Sequence, residues 1–144
     1  MTDNRLAPYG AFALRVTSGA LFLAHAALKV FVFTPAGTAK FFESVGAPGP
    51  IAYVTILIEI LGGLALLLGI YTRQAAAVLS VDLLGAIVTV HIHNGFFFSA
   101  PNGGWEYPGF WTVALVVQML IGEGAFALKP TRSDAVAAPS KVSV

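Results

Sequence analysis

The sequence predicts an all-α integral membrane protein, folded as a four-helix bundle with both termini in the cytoplasm. The first observation is composition. Of 144 residues, 57% are hydrophobic and 10% are charged, and the mean hydropathy is +0.81. Soluble domains carry about 25% charged residues, so this chain lacks the polar surface that water requires. The second observation is four apolar runs, each near the roughly 20 residues that cross a bilayer as a helix.

The composition also excludes several classes of function. A formal net charge of +1 argues against a nucleic-acid partner, because such proteins concentrate positive charge. The chain contains no cysteine, which excludes thiol chemistry, thiolate-bound iron–sulfur clusters and disulfides. It also has no nucleotide-binding motif. Any cysteine or flavin chemistry would come from other protein subunits, and both homo- and hetero-oligomers remain open.

The first predicted span, residues 9–33, follows a short polar segment, residues 1–8. The span is too long for a signal peptide and lacks a polar cleavage region. Arg15, His25 and Lys29 lie on one face, at steps that keep side chains together on a helix. This face is expected to point at protein rather than lipid. In the Pro- and Gly-rich connection after it, residues 40–43 are expected to form a short amphipathic helix at the membrane interface.

The second predicted span, residues 51–70, is the centre of the chain. Glu59 lies near its middle, where a carboxylate costs several kcal/mol unless it is protonated, paired or facing a wet cavity. Gly62 and Gly63 follow one turn later and permit the close approach of another helix. We therefore expect Glu59 to face the interior of the bundle.

The third and fourth spans are predicted at residues 74–93 and 109–128. Asp82 lies within the third span and Glu123 within the fourth. The connection between the spans, residues 94–108, is called the aromatic loop. It is rich in Asn, Gly and Pro and also strongly aromatic, which suits a segment at the headgroup level. Residues 129–144 show no apolar periodicity and are predicted to be a disordered tail.

Charge asymmetry sets the predicted topology. Four spans bring both termini to one side, which then holds Arg5, Arg73, Lys129, Arg132 and Lys141, while the opposite connections keep only Lys40. The positive-inside rule makes the first side cytoplasmic. The expected location is the inner (plasma) membrane of a bacterium, with the chain in contact with the lipid bilayer.

Counting residues from the membrane faces predicts two layers of ionisable side chains. The lower layer holds Arg15, Asp82 and Glu123 and is interpreted as a structural ion pair. The upper layer holds His25 and Glu59. Lys29 could extend outward to the interface or reach Glu59 or Glu106.

The ordered part of the chain resembles the DoxX family of small four-helix bacterial membrane proteins. The resemblance rests on a spaced set of residues: Arg15, Gly19, His25 and Lys29, then Glu59, Gly62, Gly63, Gly69 and Arg73, then Gly103 to Tyr107, and Gly122 with Gly124. The sequence departs from the family pattern at Ala26 and at Phe126 to Lys129. The family is similar to the membrane subunit of thiosulfate:quinone oxidoreductase, and some members associate with oxidative-stress enzymes. The resemblance therefore implies an oxidoreductase subunit and a quinone.

The candidate site residues fall into two groups. Glu59, His25 and Lys29 are the candidate catalytic residues of a proton relay, since a carboxylate and an imidazole can exchange protons with a quinol. The alternative is a static buried hydrogen bond. The candidate quinone-binding residues are Trp105, Glu106, Tyr107 and His93. The alternative for this aromatic loop is an interfacial belt.

Other cofactors are disfavoured by the residues. Haem ligation by His25 with His91 or His93 would need two imidazoles at one depth on facing helices. His91 and His93 point to opposite faces of a helix, which argues against a shared metal. Two functions remain: a membrane subunit of a quinone-linked redox complex, and a non-catalytic anchor or assembly subunit of a larger membrane complex.

Overall fold

The predicted all-α fold is confirmed. A computed structural model of the protein describes residues 5–130, and this part of the chain folds into helices without a strand. The helices are α1 Ala7–Ala27, α2 Pro35–Ser44, α3 Ile51–Leu68, α4 Thr72–Ala86 and α5 Glu106–Ile121. In the bundle, α1 packs on α3, α3 on α4, α4 on α5 and α5 on α1. Residues 1–4 and most of the predicted disordered tail (131–144) lie outside the described residues.

Three helical stretches of the described chain are long and apolar enough to cross a membrane: Ala7–Val32, Ile51–Leu68 and Thr72–Asn94. The fourth, α5, is apolar but has only 16 residues. Large apolar side chains cover the outside of the bundle; Phe31, for example, is 82% exposed and Phe110 75%. Water would penalise such a surface, whereas lipid acyl chains match it.

Two of the long helices change their winding towards the same end of the bundle. α1 continues as a π-helical segment over Leu28–Val32, and α4 continues as a π-helical segment over Ile87–His91. π-Helical turns are rare and occur frequently at functional sites. The first of these segments contains Lys29. The backbone carbonyl of Lys29 accepts a hydrogen bond from the Thr38 hydroxyl of α2 at 3.3 Å.

The fourth helix differs most from its predicted range of 109–128. α5 ends at Ile121 because Gly122 has φ +84°, a backbone conformation that residues with a Cβ rarely adopt. The following residues, 122–130, form a strap that runs across the end of the bundle. The backbone N–H of Ala125 donates to the Pro8 carbonyl at 2.9 Å, and that of Leu128 donates to the Leu68 carbonyl at 3.0 Å. The strap therefore brings the described chain ends together at one end of the bundle.

The core holds α1 and α3 in very close contact. A Cβ built on Gly19 would lie 2.8 Å from the Gly63 carbonyl oxygen, so any side chain there would push the two backbones apart. Above and below this crossing, Phe22 and Leu66 are completely buried. Glycines at such contacts permit close packing, as the sequence pattern predicted.

Candidate functional site

Lys29 and Glu59 form an ion pair inside the bundle. The Lys29 Nζ atom lies 2.5 Å from Glu59 Oε1, and the side chains are 22% and 6% exposed. Lys29 is near the end of the first membrane-spanning stretch, but helical side chains slant towards the helix N-terminus. The ammonium group therefore reaches back into the membrane instead of extending outward. Of the three placements that the sequence left open for Lys29, the structure selects the pairing with Glu59.

Asp82 belongs to the layer of Glu59. Asp82 lies 10 residues after Thr72, where α4 begins, and Glu59 lies 9 residues before Leu68, where α3 ends. Both are therefore about 14–15 Å from the same end of the bundle. Asp82 interacts electrostatically with Glu59 and Lys29, and its side chain is hydrogen-bonded by Thr55. The predicted grouping of Asp82 with Arg15 is corrected by this placement.

The second oxygen of Glu59 has unusual surroundings. Glu59 is buried, and its Oε2 atom has no hydrogen-bond partner among residues 5–130. Buried polar atoms are hydrogen-bonded in the great majority of cases. The Lys29–Glu59–Asp82 cluster thus combines one ammonium, two carboxyl groups and one unsatisfied oxygen.

Arg15 uses its guanidinium group to fasten the strap to the end of α3. Its side chain is completely buried. Nη1 donates to the carbonyls of Leu66 at 2.6 Å and Leu67 at 2.8 Å, while Nε donates to the Glu123 carbonyl at 3.0 Å and Nη2 to the Ala125 carbonyl at 3.1 Å. The charge of Glu123 also acts on Arg15. The positive group additionally complements the negative end of the α3 dipole.

His25 contacts aromatic side chains rather than Glu59. Its Nδ1 donates to the Leu21 carbonyl at 2.9 Å, since a carbonyl can only accept. Its ring lies 5.3 Å from the ring of Trp111, and the Trp111 ring lies 5.8 Å from that of Tyr107. Trp111 is 5% exposed and was missed by the sequence reasoning. Its spacing of four residues from Tyr107 could have identified it, because such residues share a helix face.

The aromatic loop is held by its own backbone and by polar side chains from two sides. Gly104 N–H donates to the Phe97 carbonyl at 3.0 Å, so the loop folds back on itself. His91 Nδ1 donates to the Gly103 carbonyl at 3.0 Å. Glu106 Oε1 accepts a hydrogen bond from the Phe98 N–H at 2.8 Å. These contacts make the loop a defined structural element.

An open pocket of about 510 Å³ lies beside this loop. It is lined by Phe96, Phe98, Glu106, Tyr107 and Phe110. Of the predicted quinone-binding residues, Glu106 and Tyr107 line the pocket. Trp105 packs edge-on against the Phe96 ring, with centroids 4.8 Å apart, and thus supports the wall. His93 is exposed in the turn that ends the α4 stretch.

The described residues do not form a recognisable metal site. No group of three or more His, Cys, Asp or Glu side chains within residues 5–130 could hold a metal ion. The carboxyl, amino and imidazole groups of the described residues can bind protons, and the pocket offers apolar and aromatic contacts.

Comparisons with known proteins agree with the features of the fold. A sequence profile described as DoxX matches residues 10–92, more than half of the chain. A Bacillus subtilis protein named "Putative oxidoreductase CatD" is 32% identical over 127 residues, covering 88% of this chain and 90% of that protein. An uncharacterized protein of Haemophilus influenzae is 34% identical, covering 84% and 89% of the two chains.

An uncharacterized membrane protein of Mycobacterium tuberculosis is 30% identical over 109 residues, covering 74% of this chain and 64% of that protein. No solved structure matches the chain. The profile match spans α1 to the end of the second π-helical segment, and it includes Arg15, Lys29, Glu59 and Asp82. The chain belongs to the DoxX family of membrane proteins.

Proposed function

We propose that this chain is the membrane subunit of a quinone-linked redox complex. In this role Lys29 and Glu59 handle protons, and the aromatic pocket receives the quinone ring. The observation that carries the proposal is the Lys29–Glu59 ion pair, buried at the middle of a membrane-spanning bundle. Ionisable groups are costly at such depth and commonly mark proton or substrate pathways. The oxidoreductase name of the Bacillus subtilis relative supports the same class of function.

The pocket suits a flat apolar ring with a polar edge. Phe96, Phe98 and Tyr107 offer aromatic faces, and Glu106 places a carboxyl group among them. Phe110 is 75% exposed at the side of the pocket, which leaves an apolar path for a lipid-like tail. Ligand sites typically combine apolar walls with a few polar groups in this way. A quinone bound here would supply the electron- and proton-accepting chemistry.

Ring contacts lead from the pocket as far as His25, which lies one helical turn from the lysine of the buried ion pair. Tyr107 lines the pocket and contacts Trp111, and Trp111 contacts His25. Lys29 follows His25 by one helical turn on α1 and binds Glu59. His25 therefore stands between the aromatic residues and the charged residues. We assign it the task of passing a proton between the pocket and the Lys29–Glu59 pair.

The electron donor would be a partner subunit. The chain has no cysteine, so a partner would supply the cysteine or flavin chemistry. We propose that the complex lies in the inner membrane with both termini of this chain in the cytoplasm. The strap supports their common side, because it binds the start of α1. Single-cysteine variants at Ser44 and Ser140 test the topology: labelling from opposite sides of the membrane is expected, and labelling from one side would contradict it.

Quinone binding can be measured on the chain alone. The protein has two tryptophans, Trp105 and Trp111. A short-chain quinone added to the purified protein in lipid nanodiscs should quench their fluorescence in a saturable manner. Phe98→Leu, which alters the pocket wall, should weaken binding about tenfold, as expected when roughly 1.4 kcal/mol of stacking is lost. Phe97→Leu is the matched control, because its neighbouring ring lies outside the pocket lining.

The same titration can reject the proposal. Quenching that does not saturate, or that changes equally in Phe97→Leu and Phe98→Leu, would show that the quinone merely partitions into the lipid. If no quinone is retained by a complex extracted in mild detergent, the chain is better described as a non-catalytic anchor or assembly subunit. Mass spectrometry of that complex identifies its bound lipids, cofactors and partner chains.

A further inference from the structure

The third member of the charged cluster, Asp82, has no part in the proposed relay of His25, Lys29 and Glu59. We infer that Asp82 and Glu59 hold one shared proton in the resting protein, with Lys29 as their counter-charge. The cluster is then a proton-binding site between α3 and α4. This inference deepens the proposed function, since it names the groups that store the proton, but it needs neither quinone nor partner for its test.

The two carboxyl groups are close enough for the charge of Glu59 to act on Asp82. Asp82 and Glu59 lie at the same depth on helices that pack against each other. The charged groups that act on Asp82 are Glu59 from α3 and Lys29 from α1, and Thr55 adds a hydrogen bond. The other neighbour of α4 is α5, which carries the carboxylate of Glu106. This carboxylate accepts a hydrogen bond from the Phe98 N–H of the aromatic loop. Asp82 therefore faces one ammonium and one carboxylate.

A count of charges and donors explains the proton. With all three groups ionised, the cluster would carry one positive and two negative charges, a net charge of −1 near the middle of the membrane. An unbalanced charge there is expensive. One proton makes the cluster neutral. It also converts an acceptor into a donor, whereas Glu59 Oε2 has no donor among the described residues.

A proton suits the cluster better than a metal cation. The ammonium of Lys29 lies against Glu59 and would repel a cation placed beside the same carboxylate. A proton is bound covalently to a carboxyl oxygen and needs no coordination shell. Residues 5–130 also lack a cluster of three metal-ligating side chains. The site is thus a carboxylic acid rather than an ion cage.

Infrared spectroscopy of the full-length chain in lipid tests this inference directly. A protonated carboxyl group has a C=O stretching band, separate from that of a carboxylate, which shifts in D₂O. We expect this band at neutral pH. Asp82→Asn and Glu59→Gln should each abolish it, because Lys29 then balances the single remaining carboxylate. Lys29→Met should increase it about twofold, because two carboxyl groups without a counter-charge both bind protons.

Controls separate this result from general disturbance of the protein. Glu43→Gln alters an exposed carboxylate of α2 and should leave the band unchanged. Each variant is first shown to be monodisperse, and Asp82→Glu should keep the band even if Asp82→Asn folds poorly. Absence of the band in the wild-type protein would overturn the inference. So would a band that survives both neutralising changes, or one that sodium chloride removes and choline chloride does not.

The outcome is independent of the quinone experiment. A band with the expected response to Lys29→Met, in a protein that binds no quinone, would reject the proposed redox role and keep the proton site. Saturable quinone binding without the band would do the opposite.

Discussion

Replacing Arg15 with leucine should destabilise the protein strongly, because one side chain serves four backbone carbonyls. The Leu66 carbonyl keeps a second donor, the N–H of Gly69. The substitution therefore leaves three carbonyls without the hydrogen bond from Arg15 and without such a second donor, those of Leu67, Glu123 and Ala125. A buried polar group that loses its partner costs about 1–3 kcal/mol. Partial relaxation at the bundle end reduces the sum, and we expect a loss of roughly 3–5 kcal/mol, comparable to breaking a buried ion pair.

The assay is thermal unfolding of the purified chain in mild detergent, followed by the loss of monodisperse protein. Arg15→Lys should be intermediate, since an ammonium keeps the charge but cannot reproduce the planar fork of donors. Arg73→Leu is the matched control. Arg73 also binds two carbonyls, those of Met119 and Leu120, but it is exposed to solvent, so its loss should cost about 1 kcal/mol or less.

Two results would refute this reasoning. If Arg15→Leu is no less stable than Arg73→Leu, the carbonyl contacts of Arg15 do not hold the strap. The second concerns Asp82, which the structure places with Glu59. Adding Asp82→Asn to Arg15→Leu should therefore leave stability low. Rescue by the second change would show that Arg15 and Asp82 compensate each other, and that their placement in separate layers is wrong.

The remaining predictions concern the strap and the proposed site. Gly124→Ala should lower the free energy of unfolding by about 1–3 kcal/mol, since Gly124 has φ +71° and a Cβ there would lie 2.5 Å from the Pro8 carbonyl oxygen. Gly10→Ala, in open space on α1, is the control and should raise the free energy of unfolding by up to about 1 kcal/mol in the same thermal assay. Glu59→Gln keeps size and hydrogen bonding, so the complex should assemble yet lose quinone-linked turnover; full turnover would contradict the relay. His25→Ala should behave in the same way. Trp105→Ala should raise KM for quinone more than it lowers kcat, because aromatic packing contributes to binding and moves no proton; steady-state kinetics distinguishes the two effects.

The sequence predicted the helices well where composition alone determines them. Long apolar runs must form helices in a bilayer, because no water is available to satisfy their backbone groups. The end of α5 could not be found in this way. Gly122 and Gly124 continue an apolar run, yet both have positive φ values in the strap, which is held by contacts with Pro8 and Arg15. The π-helical winding at Lys29 is equally hidden, since its sequence is compatible with an ordinary α-helix.

The misplacement of Asp82 has a simple geometric origin with a functional consequence. The predicted spans ended at residue 70 and began at residue 74, whereas α3 ends at Leu68 and α4 begins at Thr72, so counting from the predicted ends put Glu59 and Asp82 in different layers. For the two cations of α1, the slant of helical side chains also moves the charged group towards the helix N-terminus. The Arg15 guanidinium therefore lies lower than its backbone, where carbonyls satisfy it and Glu123 supplies the opposite charge. Lys29 moves inward by the same rule and meets Glu59. Arg15 and Glu123 balance each other, so Asp82 leaves the upper layer with one negative charge in excess. The proton that we infer for the Asp82–Glu59 pair would balance this charge, so the upper layer differs from the lower layer, where Arg15 and Glu123 already balance each other.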